Sequence, residues 1–595
     1  MKFFSTLVAS TLGVLIAAGI MLFLFVLFVV ALTAGADPKP VVQKQSVLVV
    51  DLSGSIPERG AADPIIGALQ DEPMYGIHDL TRSVRLAKSD DRIKALWIRA
   101  SGASIPWASL QEIRSAILDF KESGKAVVAS SNGSLVGEDE YFVMSVADSL
   151  YAVPGAPFEF NGFYINAEFY KRALDKLAVE PQIIRAGKFK GAVEPYTREQ
   201  LSAENEQQLR AILDQQQQSF VEAVASSRGV GEGSVNTLMA KPSIVTSDDA
   251  FNAGLIDRLA YRDEVVDVLR ALTESDEDDD VPLVGIESYA RLSPRDVGLR
   301  VNSKNEIALL FAEGTIVGGR SNSNSSVGSA TFNKAVKRIR NRDAVKAVVL
   351  RINSPGGSAT ASDEMLRELR LLAAEKPLVV SMGSVAASGG YWIATAADSI
   401  VADPLTLTGS IGVYSMFFDV GDLFTEKLGV DFDAVRTSPN ADMLSGLRAL
   451  TESERAALAK SVDQTYDRFL DIVSDSRSMS VESVDAIAQG RVWTGTDAVE
   501  QGLVDVLGGL KTTIGIAGEM VDLEEGDFAV VSYPRPETFF EQLTSRMESA
   551  LMARIPRTPV STLRREAVSR VQLLEETLRD AMTVQARLPY TIQIN

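Results

Sequence analysis

The chain has 595 residues and a formal net charge of −20, with 46% hydrophobic residues, one histidine and no cysteine. This length and apolar fraction favour a folded protein of several domain-sized units over a disordered chain. The acidic excess argues against nucleic acid as a partner, because binding to phosphates requires a surplus of Lys and Arg. Without cysteine there is no disulfide, thiolate metal site or cysteine nucleophile, and the single His78 excludes a multi-histidine metal centre.

The N-terminal segment is strongly apolar. Residues 3–36 contain no charged side chain, and residues 12–32 would span about 31 Å as a helix, close to the hydrocarbon thickness of a bilayer. We therefore expect an uncleaved transmembrane signal anchor over residues 1–37. A cleaved signal peptide is the alternative, since residues 34–36 (AGA) are typical of a cleavage site. Because only Lys2 and the amino terminus precede the span, the N-terminus is expected in the cytoplasm. The body would then lie in the periplasm, tethered to the bacterial inner membrane by a single pass.

Two parts of the sequence repeat each other at an offset of 248 to 252 residues. Residues 91–99 (DRIKALWIR) correspond to residues 343–351 (DAVKAVVLR), and residues 253–257 (AGLID) correspond to residues 501–505 (QGLVD). Chance periodicity would not hold such a register over most of a unit. The sequence therefore indicates a tandem duplication of a unit too long for a solenoid repeat.

Each copy alternates short apolar strands with helical patterns. Residues 45–52 and 306–311 have the composition of buried strands, whereas residues 361–374 and 451–473 have the periodicity of helices. This alternation predicts an α/β fold with a largely parallel sheet in each copy.

Two further segments lie outside the copies. The acidic run at residues 274–280 (ESDEDDD) is typical of a solvated linker. In the Pro- and Arg-rich C-terminal part, Phe539, Leu543, Met547 and Leu551 form one helix stripe, for which packing on the body is favoured over contact with a membrane surface. The predicted organisation is an anchor at 1–37, a first repeat at 44–273, an acidic linker and connection at 274–303, a second repeat at 304–534 and a helical tail at 535–595.

Positions where the copies differ are candidates for chemistry, because matching positions mostly serve the fold. The second copy has NSPGGS at residues 353–358 and ASGGYW at residues 387–392. The first copy has ASGASI at residues 100–105 and GEDEYF at residues 137–142. Glycines permit tight turns and close approach of the backbone to a ligand. Any active site is therefore expected to be asymmetric, with these loops in the second copy.

Ser388 lies between a predicted strand at residues 378–381 and a helical stretch that begins near Gly389. A hydroxyl there would face helix N-terminal amides, and the amides of Gly389 and Gly357 could form an oxyanion hole. The structural alternative is that Ser388 is a helix N-cap and that residues 356–357 are only a turn.

A nucleophilic serine needs a base. The second copy has no histidine, and His78 lies in an acidic stretch of the first, so a Ser-His-Asp triad is not expected. A carboxylate or a neutral lysine remains. Lys190 is the candidate because residues 439–442 (PNAD) of the second copy lack a lysine and because its apolar neighbours could desolvate the amine. An ordinary exposed lysine is the alternative.

The motifs AASGGYW at residues 386–392 and FKGAVEPY at residues 189–196 occur together with an N-terminal span and two related halves. In this combination the chain resembles the long, tandem-repeat form of signal peptide peptidase A. That family comprises bacterial membrane-anchored serine proteases of the Clp protease/crotonase superfold. The resemblance covers nearly the whole chain and implies that superfold for each copy.

The resemblance also implies roles for residues of this sequence. Ser388 would be the nucleophile and Lys190 the general base, so that a catalytic dyad forms between the two copies. Gly357 and Gly389 would donate to the oxyanion, and Ser410 would hydrogen-bond the lysine.

The function implied is degradation of cleaved signal peptides and other apolar peptides by a homotetramer at the membrane, without a metal or nucleotide cofactor. Two alternatives stay open. A crotonase-type enzyme would use Gly357 and Gly389 to hold an acyl-thioester carbonyl, and a non-catalytic oligomeric membrane scaffold would need no chemistry. Neither accounts for Ser388, Lys190 and Ser410 together.

Overall fold

The computed structural model describes residues 40–60, 75–276, 279–302, 304–321, 325–534 and 585–587, together with residues 13, 16, 17 and 19–21. The predicted anchor at 1–37 is therefore almost wholly outside the described residues, as is the predicted tail except for residues 585–587. The helix stripe from Phe539 to Leu551 also lies outside them. Among the helices in the described part of the chain, none has the length and apolarity needed to cross a bilayer.

Between residues 40 and 302 the described chain forms seven strands and ten α-helices. The strands are β1 (Ser46–Gly54), β2 (Ile93–Ala103), β3 (Ala126–Ser131), β4 (Ser149–Ala152), β5 (Glu180–Ala186), β6 (Arg258–Leu259) and β7 (Leu283–Gly285). The helices are α1 (Ile77–Ser89), α2 (Trp107–Lys121), α3 (Glu138–Met144), α4 (Lys171–Leu177), α5 (Glu194–Thr197), α6 (Ala203–Arg228), α7 (Glu232–Met239), α8 (Ser247–Asn252), α9 (Arg262–Thr273) and α10 (Ile286–Tyr289).

From residue 304 onward the described chain forms thirteen strands and seven α-helices. The strands are β8 (Glu306–Glu313), β9 (Thr315–Val317), β10 (Ser326–Gly328), β11 (Val345–Ser354), β12 (Gly356–Ser358), β13 (Leu378–Ala387), β14 (Ser399–Ala402), β15 (Leu407–Gly409), β16 (Val413–Asp419), β17 (Val492–Thr494), β18 (Val506–Leu507), β19 (Ala529–Tyr533) and β20 (Gln585–Arg587). The helices are α11 (Ser329–Arg340), α12 (Ala359–Ala373), α13 (Gly389–Ala394), α14 (Glu452–Arg477), α15 (Val481–Ile487), α16 (Gly495–Glu500) and α17 (Leu510–Glu519).

Both halves contain the same parallel sheet. The strand order is β6-β4-β3-β2-β1-β7 in the first half and β18-β14-β13-β11-β8-β19 in the second, and every pair in these two series is parallel. The central strands are apolar and buried on both faces, because helices cover both sides of each sheet. Each half has its own main apolar core. The predicted duplication is therefore one of two α/β units with parallel sheets.

A third sheet joins the two halves. Its order is β10-β9-β12-β20-β16-β5, and β5 of the first half pairs antiparallel with β16 of the second. The pairing runs from Glu180 opposite Asp419 to Ala186 opposite Val413. The residues that follow β5 therefore lie beside the residues that precede β16, and this register positions the candidate site.

Part of the predicted connection at residues 274–303 folds onto the first half. Strand β7 pairs with β1 at the edge of the first sheet. The buried Tyr289 of α10 donates a hydrogen bond to Asp90 at 2.9 Å. The acidic run is thus followed by residues that belong to the first sheet and its helices.

A buried ion cluster also links the halves. Arg351 of β11 lies 3.0 Å from Glu58 and 2.7 Å from Glu112, and the three side chains are only 1–4% exposed. Both carboxylates come from the first half of the chain. At the offset of 252 residues, the counterpart of Arg351 is Arg99, which pairs with Asp51 near the surface with side-chain exposures of 28% and 39%.

We expect Arg351→Ala to lower the free energy of unfolding by about 3–5 kcal/mol, because two carboxylates would remain buried without their cation. The matched change Arg99→Ala, which removes a partly exposed pair, should cost about 1 kcal/mol. Urea unfolding followed by circular dichroism measures both effects. Equal shifts for the two variants would contradict a stabilising role for the buried cluster.

Candidate active site

Ser388 occupies a sharp turn between β13 and α13. Its backbone has φ 55° and ψ −113°, a conformation that costs a non-glycine residue about 1–3 kcal/mol. The turn is held because Ala387 pairs with Gly409 of β15 and the Ser388 amide donates to the Gly409 carbonyl at 2.8 Å. Ser388 stands at the N-cap position of α13, but its side chain makes no capping hydrogen bond. The hydroxyl is fully buried and is left for another contact.

Lys190 provides that contact from the first repeat. It ends the short turn that follows β5, at the start of the 3₁₀ turn Gly191–Val193, and its side chain is fully buried. The Nζ atom lies 2.8 Å from Ser388 Oγ. The same Nζ lies 2.9 Å from the carbonyl oxygen of Ser410 and 3.0 Å from Ser410 Oγ. Two residues predicted from different repeats are thus in direct contact.

The surroundings of Lys190 favour a neutral amine. Burial lowers the pKa of Lys190 well below its usual value of 10.5. A neutral amine has two N–H donors and one lone pair, whereas an ammonium has three donors and no acceptor. The two oxygens of Ser410 can accept the two N–H bonds, which leaves the lone pair for the hydroxyl proton of Ser388.

Ser410 is positioned by the two sheets that meet at the site. It lies between β15 and β16, is fully buried, and has φ 50°. Its amide donates to the carbonyl of Arg491 at 2.7 Å. In the first copy the corresponding residue is Phe160, which packs against Tyr141 and Phe220 in an apolar core. A serine that can contact the lysine is therefore present at this position in the second copy but not in the first.

The two glycine-containing loops of the second copy also meet. A Cβ on Gly356 would lie 2.6 Å from the amide nitrogen of Gly389. A Cβ on Gly357 would lie 2.0 Å from the carbonyl oxygen of Ile316, and one on Gly389 would lie 2.6 Å from Ser362 Oγ. No larger side chain fits at these positions without a shift of its neighbours, so both loops depend on glycine for close backbone approach.

A further glycine, Gly490, is important for the site but was not identified from the sequence. It has φ 77°, and a Cβ there would lie 2.7 Å from the backbone nitrogen of Lys190. The next residue, Arg491, accepts the hydrogen bond from Ser410. At the offset of 248 residues the first copy has Pro242 in place of Gly490, and this difference between the copies is the signal that could have revealed it.

His78 lies at the junction of the halves. Its ring packs edge-on against Phe311 with centroids 6.2 Å apart. Burial lowers the pKa of His78 to about 4, so the imidazole is neutral at neutral pH. The histidine therefore serves the core between the repeats, while Ser388 is contacted by Lys190.

In the first copy, carboxylates occupy the place of the serine loop. Glu138 stands where the second copy has Ser388, at an offset of 250 residues. Its Oε1 accepts hydrogen bonds from the amides of residues 161 and 162 at 2.6 and 2.9 Å. Glu140 Oε1 accepts from the amides of residues 101–103 at 2.7–3.0 Å. The backbone amides of residues 101–103 and 161–162 are thus bound by carboxylates of the same copy.

Comparison with known proteins places the chain in a family. The profile of peptidase family S49 matches residues 119–276 and 370–524, once in each half. The chain is 33% identical over 522 residues to the chloroplastic serine protease SPPA of Arabidopsis thaliana, covering 87% of this chain and 75% of that protein. It is 32% identical over 537 residues to Protease 4 of Salmonella typhi, covering 86% and 84%.

A third relative, Protease 4 of Haemophilus influenzae, is 34% identical over 466 residues, covering 76% of this chain and 74% of that protein. These similarities extend across both repeats and confirm the resemblance seen in the sequence motifs. The chain therefore belongs to peptidase family S49, a family of serine peptidases, and carries two S49 units in tandem.

Proposed function

We propose that the protein is a membrane-anchored serine endopeptidase with Ser388 as nucleophile and Lys190 as general base. The observation that carries this proposal is the 2.8 Å contact between Lys190 Nζ and Ser388 Oγ, both fully buried and contributed by different repeats. A thioester-binding enzyme or a non-catalytic scaffold would not require this contact. The two parallel-sheet units further support the Clp protease/crotonase superfold for each copy.

In the proposed mechanism, Ser388 Oγ attacks the carbonyl carbon of a peptide bond while Lys190 Nζ accepts the hydroxyl proton. The resulting ammonium keeps its hydrogen bonds to Ser410 and returns the proton to the leaving amine. The amides of Gly357 and Gly389 stabilise the negative charge that develops on the carbonyl oxygen. Water then attacks the acyl-enzyme, with Lys190 again taking the proton, and Ser388 is regenerated.

We propose cleaved signal peptides and other apolar peptides as the substrates. The resemblance of the site motifs to signal peptide peptidase A supports this class. The groove between β12 and β16 also supports a peptide ligand, because an extended segment, β20, pairs with both strands there. Main-chain pairing of this kind selects extended peptides through their backbone.

Substitution of the dyad should abolish activity without loss of the fold. We expect Ser388→Ala and Lys190→Met each to reduce kcat/KM for an apolar peptide by about 10⁴-fold or more, because nucleophile and base act as a unit. Matched controls are Lys188→Met, an exposed lysine two residues from the base, and Ser384→Ala, a buried serine on β13 that bonds to Ser109. Both controls should keep wild-type activity. Full activity in either dyad variant would remove the assignment.

The pH dependence should report the buried amine. Because burial lowers the pKa of Lys190 well below 10.5, the unprotonated base is present at a lower pH than for an exposed lysine. We therefore expect kcat/KM to rise with pH through this lowered pKa and to level off above it. A rate that begins to rise only near pH 10, or a profile with no rise anywhere between acidic and alkaline pH, would argue against Lys190 as base.

We also propose that residues 1–37 anchor the protein in the inner membrane as a homotetramer with its catalytic body in the periplasm. The full chain should then sediment with membranes and resist extraction by alkaline carbonate, whereas a chain lacking residues 1–37 should be released. The mass in detergent, measured by light scattering, should correspond to four chains. A mature protein that begins at Asp37 would contradict the anchor, and a monomeric mass would contradict the tetramer.

A further inference from the structure

The segment that carries Lys190 also contains Glu194, a buried carboxylate to which the proposed mechanism gives no role. Glu194 is 1% exposed and begins α5, directly after the 3₁₀ turn that follows Lys190. Its Oε1 accepts a hydrogen bond from Ser202 Oγ at 2.5 Å, and its Oε2 accepts from the Ser202 amide at 3.1 Å and from Asn205 Nδ2 at 3.2 Å. Arg185 of β5 lies 3.9 Å from Oε1 and donates to the Lys190 carbonyl oxygen at 3.4 Å. The carboxylate therefore bonds the segment of Lys190 to the N-terminal turn of α6.

The residues of α6 that meet this carboxylate also hold the chain on both sides of Lys190. Gln208 Nε2 donates to Asn205 Oδ1 at 2.5 Å and to the carbonyl oxygen of Phe189 at 3.4 Å. The Asn205 amide packs against Gly191, where an added Cβ would lie 2.7 Å from Nδ2. Asn205 and Gln208 are 1% and 2% exposed. The turn is thus held before and after the lysine by a chain of buried hydrogen bonds that begins at the carboxylate.

Helix α6 also contacts the side of the site that carries the proposed nucleophile. Gln208 Oε1 accepts a hydrogen bond at 3.1 Å from the amide of Val492, the first residue of β17. One turn later on the helix, Ile212 packs in a buried apolar cluster with Val492 and with Ala387, the residue before Ser388. One helix of the first repeat therefore contacts both the turn of the proposed base and the strand of the proposed nucleophile, and it constrains the distance between them.

The corresponding helix of the second copy, α14, differs at the residues that form this network. At the offset of 249 residues, Asn205 corresponds to Glu454. Gln208 corresponds to Ala457, which is exposed. The buried Glu454 pairs with Arg448 of the preceding segment at 2.7 Å. A buried carboxylate thus joins segment and helix in both copies, but in the first copy the helix contributes two neutral amides. Amides can hold the main chain beside a buried amine without adding a charge that would keep the amine protonated.

We propose that Glu194 is a positioning residue of the active site and acts through Asn205 and Gln208. The inference rests on the proposed Ser388–Lys190 chemistry. Glu194 takes no part in the proton transfer but holds the main chain from which the lysine Nζ reaches the serine hydroxyl. Proton transfer needs these two atoms at hydrogen-bond distance, and a displacement of about 1 Å can lower the rate by about 10²-fold. The network therefore affects the rate of the proposed reaction rather than the binding of the peptide.

Removal of the carboxylate from the full-length protein in detergent tests this role. We expect Glu194→Ala to lower kcat for an added apolar peptide by about 10²-fold, with KM close to that of wild type, because the turn of the base is no longer held. Glu194→Gln should restore most of the activity, since its amide oxygen can still accept the bonds from Ser202 and Asn205. The matched control Glu454→Ala removes the buried carboxylate of the corresponding helix. It should lose stability in urea unfolding but keep the wild-type kcat.

A second pair of variants tests the network where it meets the turn, and it applies also if Glu194→Ala does not fold. Gln208→Leu has a side chain of similar volume but loses the bonds to Phe189 and Val492, so that kcat should fall by about tenfold with KM unchanged. Its control is Gln216→Leu, further along α6. Gln216 is 2% exposed, and its Nε2 has no hydrogen-bond partner in the described part of the chain, so this change should leave kcat unchanged.

The inference is wrong if either folded variant, Glu194→Ala or Gln208→Leu, keeps the wild-type kcat, while the proposed function stands as long as Ser388→Ala is inactive. It is also wrong if Glu194→Ala raises KM alone or if Glu194→Gln is as slow as Glu194→Ala. An equal loss of kcat in Glu454→Ala would overturn it too, because the loss would then follow general destabilisation. No hydrolysis by wild type, or full activity in Ser388→Ala or Lys190→Met, would instead contradict the proposed function.

Discussion

The candidate site depends on one contact, between an amine from the first repeat and a hydroxyl from the second, at 2.8 Å in a fully buried position. Neither repeat could form it alone. The antiparallel pairing of β5 with β16 places the residues that follow β5 beside those that precede β16. The short turn after β5 ends at Lys190, and Ser410 precedes β16. Burial lowers the pKa of Lys190, because an amine that has no carboxylate partner and is shielded from water is most stable in its neutral form. The junction between the repeats is therefore a structural interface and also the place of the proposed chemistry.

The two copies differ in the loops around the candidate site. In the second copy, a strained serine lies beside buried glycine-containing loops whose backbones approach each other closely, at a cost in backbone freedom and conformational strain. In the first copy, the loop that corresponds to the serine loop carries Glu138 and Glu140. Glu140 accepts hydrogen bonds from the amides of residues 101–103, and Glu138 accepts them from the amides of residues 161 and 162. A buried N–H group without a partner is costly, so the first copy gains stability when its own carboxylates satisfy those donors. The first copy contributes Lys190 to the candidate site and strand β5 to the junction.

Much of this architecture could be predicted from the sequence because local pattern determines it. The predicted helix at residues 451–473 corresponds to Glu452–Arg477, since apolar periodicity and a Thr–Glu capping box specify the helix and its start. The strand predicted at residues 378–381 is longer in the structure, Leu378–Ala387. The prediction stopped early because the small residues in the second half of the strand have weak strand propensity. They are strand residues because they pair with β11 and β15. The close approach at Gly490 and the pairing of β5 with β16 join distant parts of the chain, and no local pattern specifies such contacts.

Two buried basic side chains at the junction of the repeats show how local partners determine charge. Arg351 is as buried as Lys190, and burial opposes its charge, but Glu112 and Glu58 raise its pKa and keep it ionised. Within the part of the chain that the structure describes, the Lys190 amine contacts only the hydroxyls of two serines and one carbonyl oxygen, so burial is unopposed and its pKa falls. A carboxylate beside Lys190 would raise the pKa of the amine and keep it protonated, so that it could not act as the proposed base. The same interface can therefore contain both a buried ion cluster and a neutral amine, the proposed proton acceptor, provided that the carboxylates stay beside Arg351.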